Sequence, residues 1–162
     1  MKRILGITGL ALAFTGSAAA ADIGLSYDLS NLLAPTGNSS NLGVSYYLDD
    51  STELVVGLDA SMMGDFALNS VDLSYLMHGD GDGIHSIIGG GVSVTDVTGD
   101  LGLAAGGGIG FQSDLGFFDN ASVRAWTGLM INVVGTNPTT GMSDFGFMTM
   151  SSNLELHYKF GL

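Results

Sequence analysis

Glu155, His157 and Lys159 stand two apart near the end of the sequence, with Ser151 in the same phase and Arg124 upstream. A serine, an imidazole and a carboxylate are the parts of an ester hydrolase, and a lipid-modifying enzyme is one reading of them. Their spacing argues otherwise. They alternate with Leu154, Leu156, Tyr158, Phe160 and Leu162, so they lie on one face of a strand. Each step of two residues advances about 6.5 Å, which sets the side chains in a row rather than around one reacting atom. The same residue types suit a network of buried charges. Arg124 and Lys159 are the only cations after residue 20, and Asp28, Asp59, Asp72 and Glu155 are on hand to pair with them. The expectation is an interior ion-pair network of Asp28, Asp59, Asp72, Arg124, Glu155, His157 and Lys159, with no catalytic residue and no cofactor.

Two further motifs carry chemistry on paper. Asp80 and Asp82 alternate with glycine across residues 78–83 and would place oxygens near a calcium ion, but the distal glutamate of a calcium loop is missing. A turn rich in Gly and Asp is the simpler reading, and no metal is expected. Gly106, Gly107, Gly108 and Gly110 resemble a phosphate-cradling loop only until the following residues are read, because no helix follows them. A strand bending past bulky interior residues such as Trp126 accounts for them better.

The elements that would carry these residues alternate with period two almost throughout. Residues 23–30, 42–48, 54–62, 71–77, 84–95, 101–111, 123–133 and 145–162 predict eight strands, from 7 to 18 residues long. In the fifth, the neighbours Ile87 and Ile88 leave the register open. Residues 34–41, 49–52, 64–65, 78–83, 96–100, 112–120 and 135–144 read as the connections, alternating between loops and turns.

One face of each strand is apolar; the other is mainly Gly, Ser, Ala and a few Asp. A soluble ligand-binding barrel would turn the apolar face inward and need long charged side chains outside. Lys is nearly absent after residue 20, and small residues suit the crowded interior of an eight-stranded barrel. The expected fold is therefore all-β, an eight-stranded antiparallel up-and-down transmembrane β-barrel. Tyr27, Tyr46, Tyr75, Phe111 and Tyr158 fall on its lipid-facing side, where those near strand ends would form an aromatic girdle.

The exported leader and eight alternating segments are joined by the run 41–50, Asn-Leu-Gly-Val-Ser-Tyr-Tyr-Leu-Asp-Asp, and by the strand from Leu54 to Ala60. In this pattern the chain resembles the small outer-membrane barrels of the OmpA, OmpX and OmpW type. The resemblance covers residues 21–162 and is one of pattern, without a family-defining motif. It implies that the last strand, through Leu154, Leu156, Tyr158, Phe160 and Leu162, is read by the barrel-assembly machinery. That signal usually ends on an aromatic residue; here Phe160 comes two positions early.

Composition sets the address. Lys2 and Arg3 precede an apolar run from Ile4 to Phe14 and small residues to Ala21, the pattern of a secretory signal peptide cut after Ala20 or Ala21. The apolar run is too short to span a bilayer as a helix. Residues 1–20 are thus expected to be the signal and 21–162 the barrel. There is no cysteine, so neither disulfide nor lipid-modified cysteine is available. Hydrophobic residues make up 46% of the chain and charged residues 12%, too apolar for disorder. All 16 acidic residues follow the leader, which excludes direct binding of nucleic acid. Contact with lipopolysaccharide would run through divalent cations. The sequence points to a non-enzymatic barrel of the Gram-negative outer membrane, structural or surface-interacting. A narrow porin-like channel for small or apolar solutes is the alternative, and a lipid-modifying hydrolase the remote one.

Overall fold

A computed structural model describes residues 22–29, 39–61, 67–81, 83–97, 100–134 and 148–161. Residues 1–20, expected to be a leader, lie outside the described residues, as do Asp82 and Leu162. Eight strands follow in chain order: β1 (Ile23–Asp28), β2 (Ser39–Asp49), β3 (Thr52–Ser61), β4 (Ala67–His78), β5 (Ile84–Val97), β6 (Asp100–Asp114), β7 (Ala121–Val134) and β8 (Met148–Phe160). Each pairs antiparallel with the next, and β8 closes on β1 to complete the barrel. Closure matters because it removes the two sheet edges that an open sheet would leave with unpaired backbone groups.

Side-chain direction follows the sequence phase. Leu25, Val44, Ile88, Ile109, Leu129 and Leu156 point outward and are exposed, Ile109 by 60%. Ser26, Ser45, Gln112, Ser122, Arg124 and His157 are buried within the ring. The apolar side is outside and the polar side inside, opposite to a soluble ligand-binding barrel. The alternation on β5 resolves with Ile87 buried and Ile88 half exposed. Tyr75, Phe111 and Tyr158 stand exposed on the outer face.

Strand boundaries depart from the sequence reading in places. β1 is shorter than expected at Ile23–Asp28, although Leu29 N still donates to the Leu154 carbonyl across the seam at 2.6 Å. β5 and β6 run on to Val97 and from Asp100, through the stretch read as a loop from Asp96 to Asp100. Thr, Asp and Gly carry no apolar alternation there, so the ladder extends where the pattern is silent. Likewise β2 begins at Ser39, inside the expected loop; the expected start of the last strand near Phe145 lies outside the described residues, which resume with β8 at Met148.

The ladder between β5 and β6 sets Gly89, Gly90 and Gly91 directly against Gly108, Gly107 and Gly106. This block leaves bare backbone in the barrel wall. Inward-facing Gly106 is held to glycine by close approach: a Cβ there would meet the Leu129 carbonyl oxygen and lie 2.6 Å from Met130 Sδ.

Candidate functional site

The candidate site is the inside of the barrel, which the chain divides into two layers. Turns from β2 to β3, β4 to β5 and β6 to β7 lie at the same end as both strand termini that close the seam. That end is filled by long side chains. Arg124, from β7, reaches across the ring to Glu53 on β3, and strands four apart in a ring of eight stand diametrically opposite. Arg124 Nη1 donates to Glu53 Oε1 at 2.6 Å and Nη2 donates to Glu53 Oε2 at 2.9 Å, a two-pronged pair that matches the flat guanidinium to the carboxylate. Nε donates to Gln112 Oε1 at 2.6 Å and Nη2 also donates to the Tyr47 hydroxyl at 2.9 Å. All three guanidinium nitrogens are thereby engaged. Arg124 is 2% exposed and Glu53 is fully buried, so the pair is cut off from solvent screening.

Below this layer, Tyr47 Oη lies 2.8 Å from His157 Nε2. The imidazole rests on Gly24, where a Cβ would come within 2.6 Å of Nε2; glycine on β1 makes the room for the ring. His78 Nε2 is 3.6 Å from Glu53 Oε2, and His78 Nδ1 is 3.3 Å from His85 Nε2. At the rim, Lys159 Nζ pairs with Asp22 Oδ2 at 2.8 Å and sits 4.3 Å from the centre of the Tyr47 ring. Seven strands contribute side chains to this plug, with Gly24 of β1 beneath it.

Beyond the plug, toward the loop end, the interior changes character. A cavity of about 280 Å³ opens there, lined by Ser26, Asp28, Gly57, Asp72, Leu76, Ile87, Gly91, Gly106, Trp126 and Glu155 among others, with Arg124 at its floor. Gly and Ser supply nine of its 22 lining residues. With its amide oxygen turned to the indole, Asn153 accepts from Trp126 Nε1 at 3.1 Å, which fixes the ring against the wall.

Of the seven residues expected to form the ion-pair network, Asp28, Arg124 and His157 are buried and Lys159 lies at the rim, but their partners differ from those expected. Arg124 pairs with Glu53 and Lys159 with Asp22, neither of which was among the expected carboxylates. Asp28 and Glu155 instead face each other across the β1–β8 seam. Asp72 accepts from Ser70 Oγ at 3.4 Å, and Asp59 Oδ1 is buried without a hydrogen-bond partner. The physical reason is reach. A strand-to-strand reading pairs Arg124 with Glu155, its direct neighbour in register, whereas the long arginine crosses a narrow lumen to the far wall. Glu53, Tyr47 and Gln112 were missed. A signal existed for Glu53: it is one of only two glutamates in the chain and shares the inward phase of Val55, Gly57 and Asp59. His157 Nε2 lies within hydrogen-bond distance of the Tyr47 hydroxyl; the side chain of Ser151 lies outside the described residues. Among the described residues no group of three or more His, Asp or Glu is arranged to hold a metal ion.

The fold is similar to that of the N-terminal β-barrel domain of Pseudomonas aeruginosa OprF, known from a crystal structure. The TM-score is 0.52 and the sequence identity 13%, over 87% of this chain and 97% of that one. At that identity the likeness is one of architecture, and it agrees with the eight-stranded barrel that the sequence pattern implied. No family model and no curated protein matches the sequence.

Proposed function

We propose that this chain is an integral β-barrel of a bacterial outer membrane, with a structural or surface-interacting role and no catalytic one. The observation that carries this reading is the buried Arg124–Glu53 plug, which occupies the lumen where a pore would have to continue. The membrane assignment draws support from the outward apolar face and from strand length. β2 to β8 run from 10 to 15 residues, and a tilted strand needs about 9–11 to cross the hydrocarbon. In a closed ring every strand has neighbours on both sides, the condition that a lipid solvent imposes on spanning strands. The signal-like residues 1–20 fit export, and on this reading the short turns lie on the periplasmic side.

Its partners on this reading are membrane lipid and, through divalent cations, lipopolysaccharide. The outward residues Leu154, Leu156, Tyr158 and Phe160 of β8, followed by Leu162, serve as the signal for the assembly machinery. A second reading, a narrow channel, is favoured by the cavity beyond the plug. Planar-bilayer recording separates the two. The purified protein is expected to insert without discrete conductance steps, whereas uniform single-channel steps from the unaltered protein would overturn the structural reading and establish the channel.

A further inference from the structure

Among the described residues, the most exposed large apolar side chains gather on one side of the barrel: Ile84, Ile109, Phe111, Phe117 and Phe118. Two of them lie beyond the strands. Phe117 and Phe118, in the turn from β6 to β7, are 75% and 63% exposed, with ring centres 4.9 Å apart. Ordered backbone presents them. Phe118 N donates to the Leu115 carbonyl at 3.0 Å and Leu115 N to the Ala121 carbonyl at 2.8 Å, while Asn120, at a φ of 65°, leads the chain into β7. Residues 115–118 read Leu-Gly-Phe-Phe, without a charge. The other turns at this end have the opposite chemistry: Asp50 and Ser51 are exposed between β2 and β3, and Asp80 is exposed between glycines after β4. An apolar patch of this kind on one turn of three marks a contact.

Register says what it meets. Ala121 pairs with Tyr158, and Lys159 N donates to the Asn120 carbonyl at 2.8 Å, so the end of β8 runs alongside the turn. Tyr158 and Phe160 there are exposed on the outer face, with ring centres 4.7 Å apart. On the β6 side, Phe111 and Ile84 stand exposed in the same belt. The turn therefore continues the outward apolar surface, instead of joining the acidic turns beside it.

We propose that the Phe117–Phe118 turn is a lipid anchor, its two rings inserted where headgroups meet acyl chains in the periplasmic leaflet. Phenylalanine has no polar tip to hold it at the headgroup level, whereas Asp119 and Asn120, exposed next to it, keep their polar groups in the wet layer. The anchor acts on one side of the rim only, because the carboxylates of the other two turns belong in water. This inference rests on the reading of the chain as a membrane-spanning barrel, and the experiment keeps the two apart.

The sequence has no cysteine, so one introduced thiol carries one nitroxide label. Phe117→Cys and Phe118→Cys are prepared separately, each keeping the other ring, then labelled and folded into phosphatidylcholine vesicles. Leu129→Cys, on the outer wall of β7, and Asp50→Cys, in the β2–β3 turn, serve as the lipid and water references. Power-saturation electron paramagnetic resonance measures collisions with oxygen, which concentrates in lipid, and with a water-soluble nickel chelate. The oxygen-to-nickel ratio at positions 117 and 118 is expected to lie severalfold above that at 50 and below that at 129. A ratio at the tip equal to that at 50 would place the turn in water and overturn the proposal. Shielding of the tip from both reagents would also overturn it, because protein then covers the rings; dipolar broadening between labels would identify that protein as a second copy. A lipid-like ratio at 129 with a water-like one at the tip removes the anchor and leaves the barrel standing. Water-like ratios at all four positions remove both.

Discussion

Within one lumen, and from strands of a single alternating pattern, the turn end is solid and the middle is hollow. Both regions take the inward-facing residues of the same strands. They differ in side-chain length. Tyr47, Glu53, Gln112, Arg124 and His157 reach the barrel axis and meet there, while Ser26, Gly57, Gly91 and Gly106 stop at the wall. An eight-stranded barrel is just wide enough for side chains to fill, so a level is plugged where long inward side chains meet across the axis and hollow where enough of them are Gly or Ser. Charge is treated differently as well. In the plug, opposite charges sit in contact; around the cavity, carboxylates face one another.

The most severe way to break this contrast is to remove the cation that organises the plug. Arg124→Ala leaves Glu53 fully buried with its main partner gone, a situation that costs about 3–5 kcal/mol. Urea unfolding in phospholipid vesicles should show a loss of that size. Replacing both partners, Arg124→Met with Glu53→Leu, should recover much of it, since a buried pair exchanged for apolar groups is often close to neutral. If the single and double variants unfold alike, the pair is not what holds this end together.

A smaller effect is expected at the cavity wall, where the risk is too much volume rather than unpaired charge. Gly106→Ala directs a methyl group at the Leu129 carbonyl oxygen and Met130 Sδ. The carbonyl belongs to the paired β7 backbone and cannot swing aside, so an overpacking cost of about 1–3 kcal/mol is expected in the same unfolding assay. Gly116, in the β6–β7 connection, has open space where a Cβ would stand, and its alanine variant should be nearly silent. Equal losses at the two positions would show that the cavity is loose enough to absorb a methyl, sharpening the distinction from the plug.

Much of this contrast is legible in the sequence. Eight strands, their inward and outward faces, and the interior place of Trp126 followed from period-two alternation with Gly and Asp between the runs. The fifth strand did not yield, because Ile87 and Ile88 are equally apolar and alternation says nothing between them; only the ladder to β4 and β6 puts Ile87 inside. The partner of Arg124 was hidden for another reason. Sequence reading looks to adjacent strands, where Glu155 lies in register, but contact across a ring depends on strand count and side-chain reach together. Counting four strands onward from β7 leads to β3 and its single glutamate. The Asp22–Lys159 pair was missed because Asp22 precedes the first alternating residue and carries no phase of its own.

That rim pair offers the finest test of what burial does to a charge contact. Lys159 Nζ and Asp22 Oδ2 are 2.8 Å apart, nearly as close as Arg124 and Glu53, yet the two side chains are 32% and 34% exposed. Water and salt reach them, so Asp22→Asn should cost under about 1 kcal/mol, and raising the ionic strength should erase most of that difference. Lys159→Met should cost somewhat more than Asp22→Asn, because it also removes the cation lying 4.3 Å from the Tyr47 ring centre, a contact with the plug itself. If Asp22→Asn were to match Arg124→Ala in the unfolding assay, the depth of a pair below the rim would not be what sets its worth. The plug would then owe its stability to the packing of its long side chains rather than to a charge contact shielded from water.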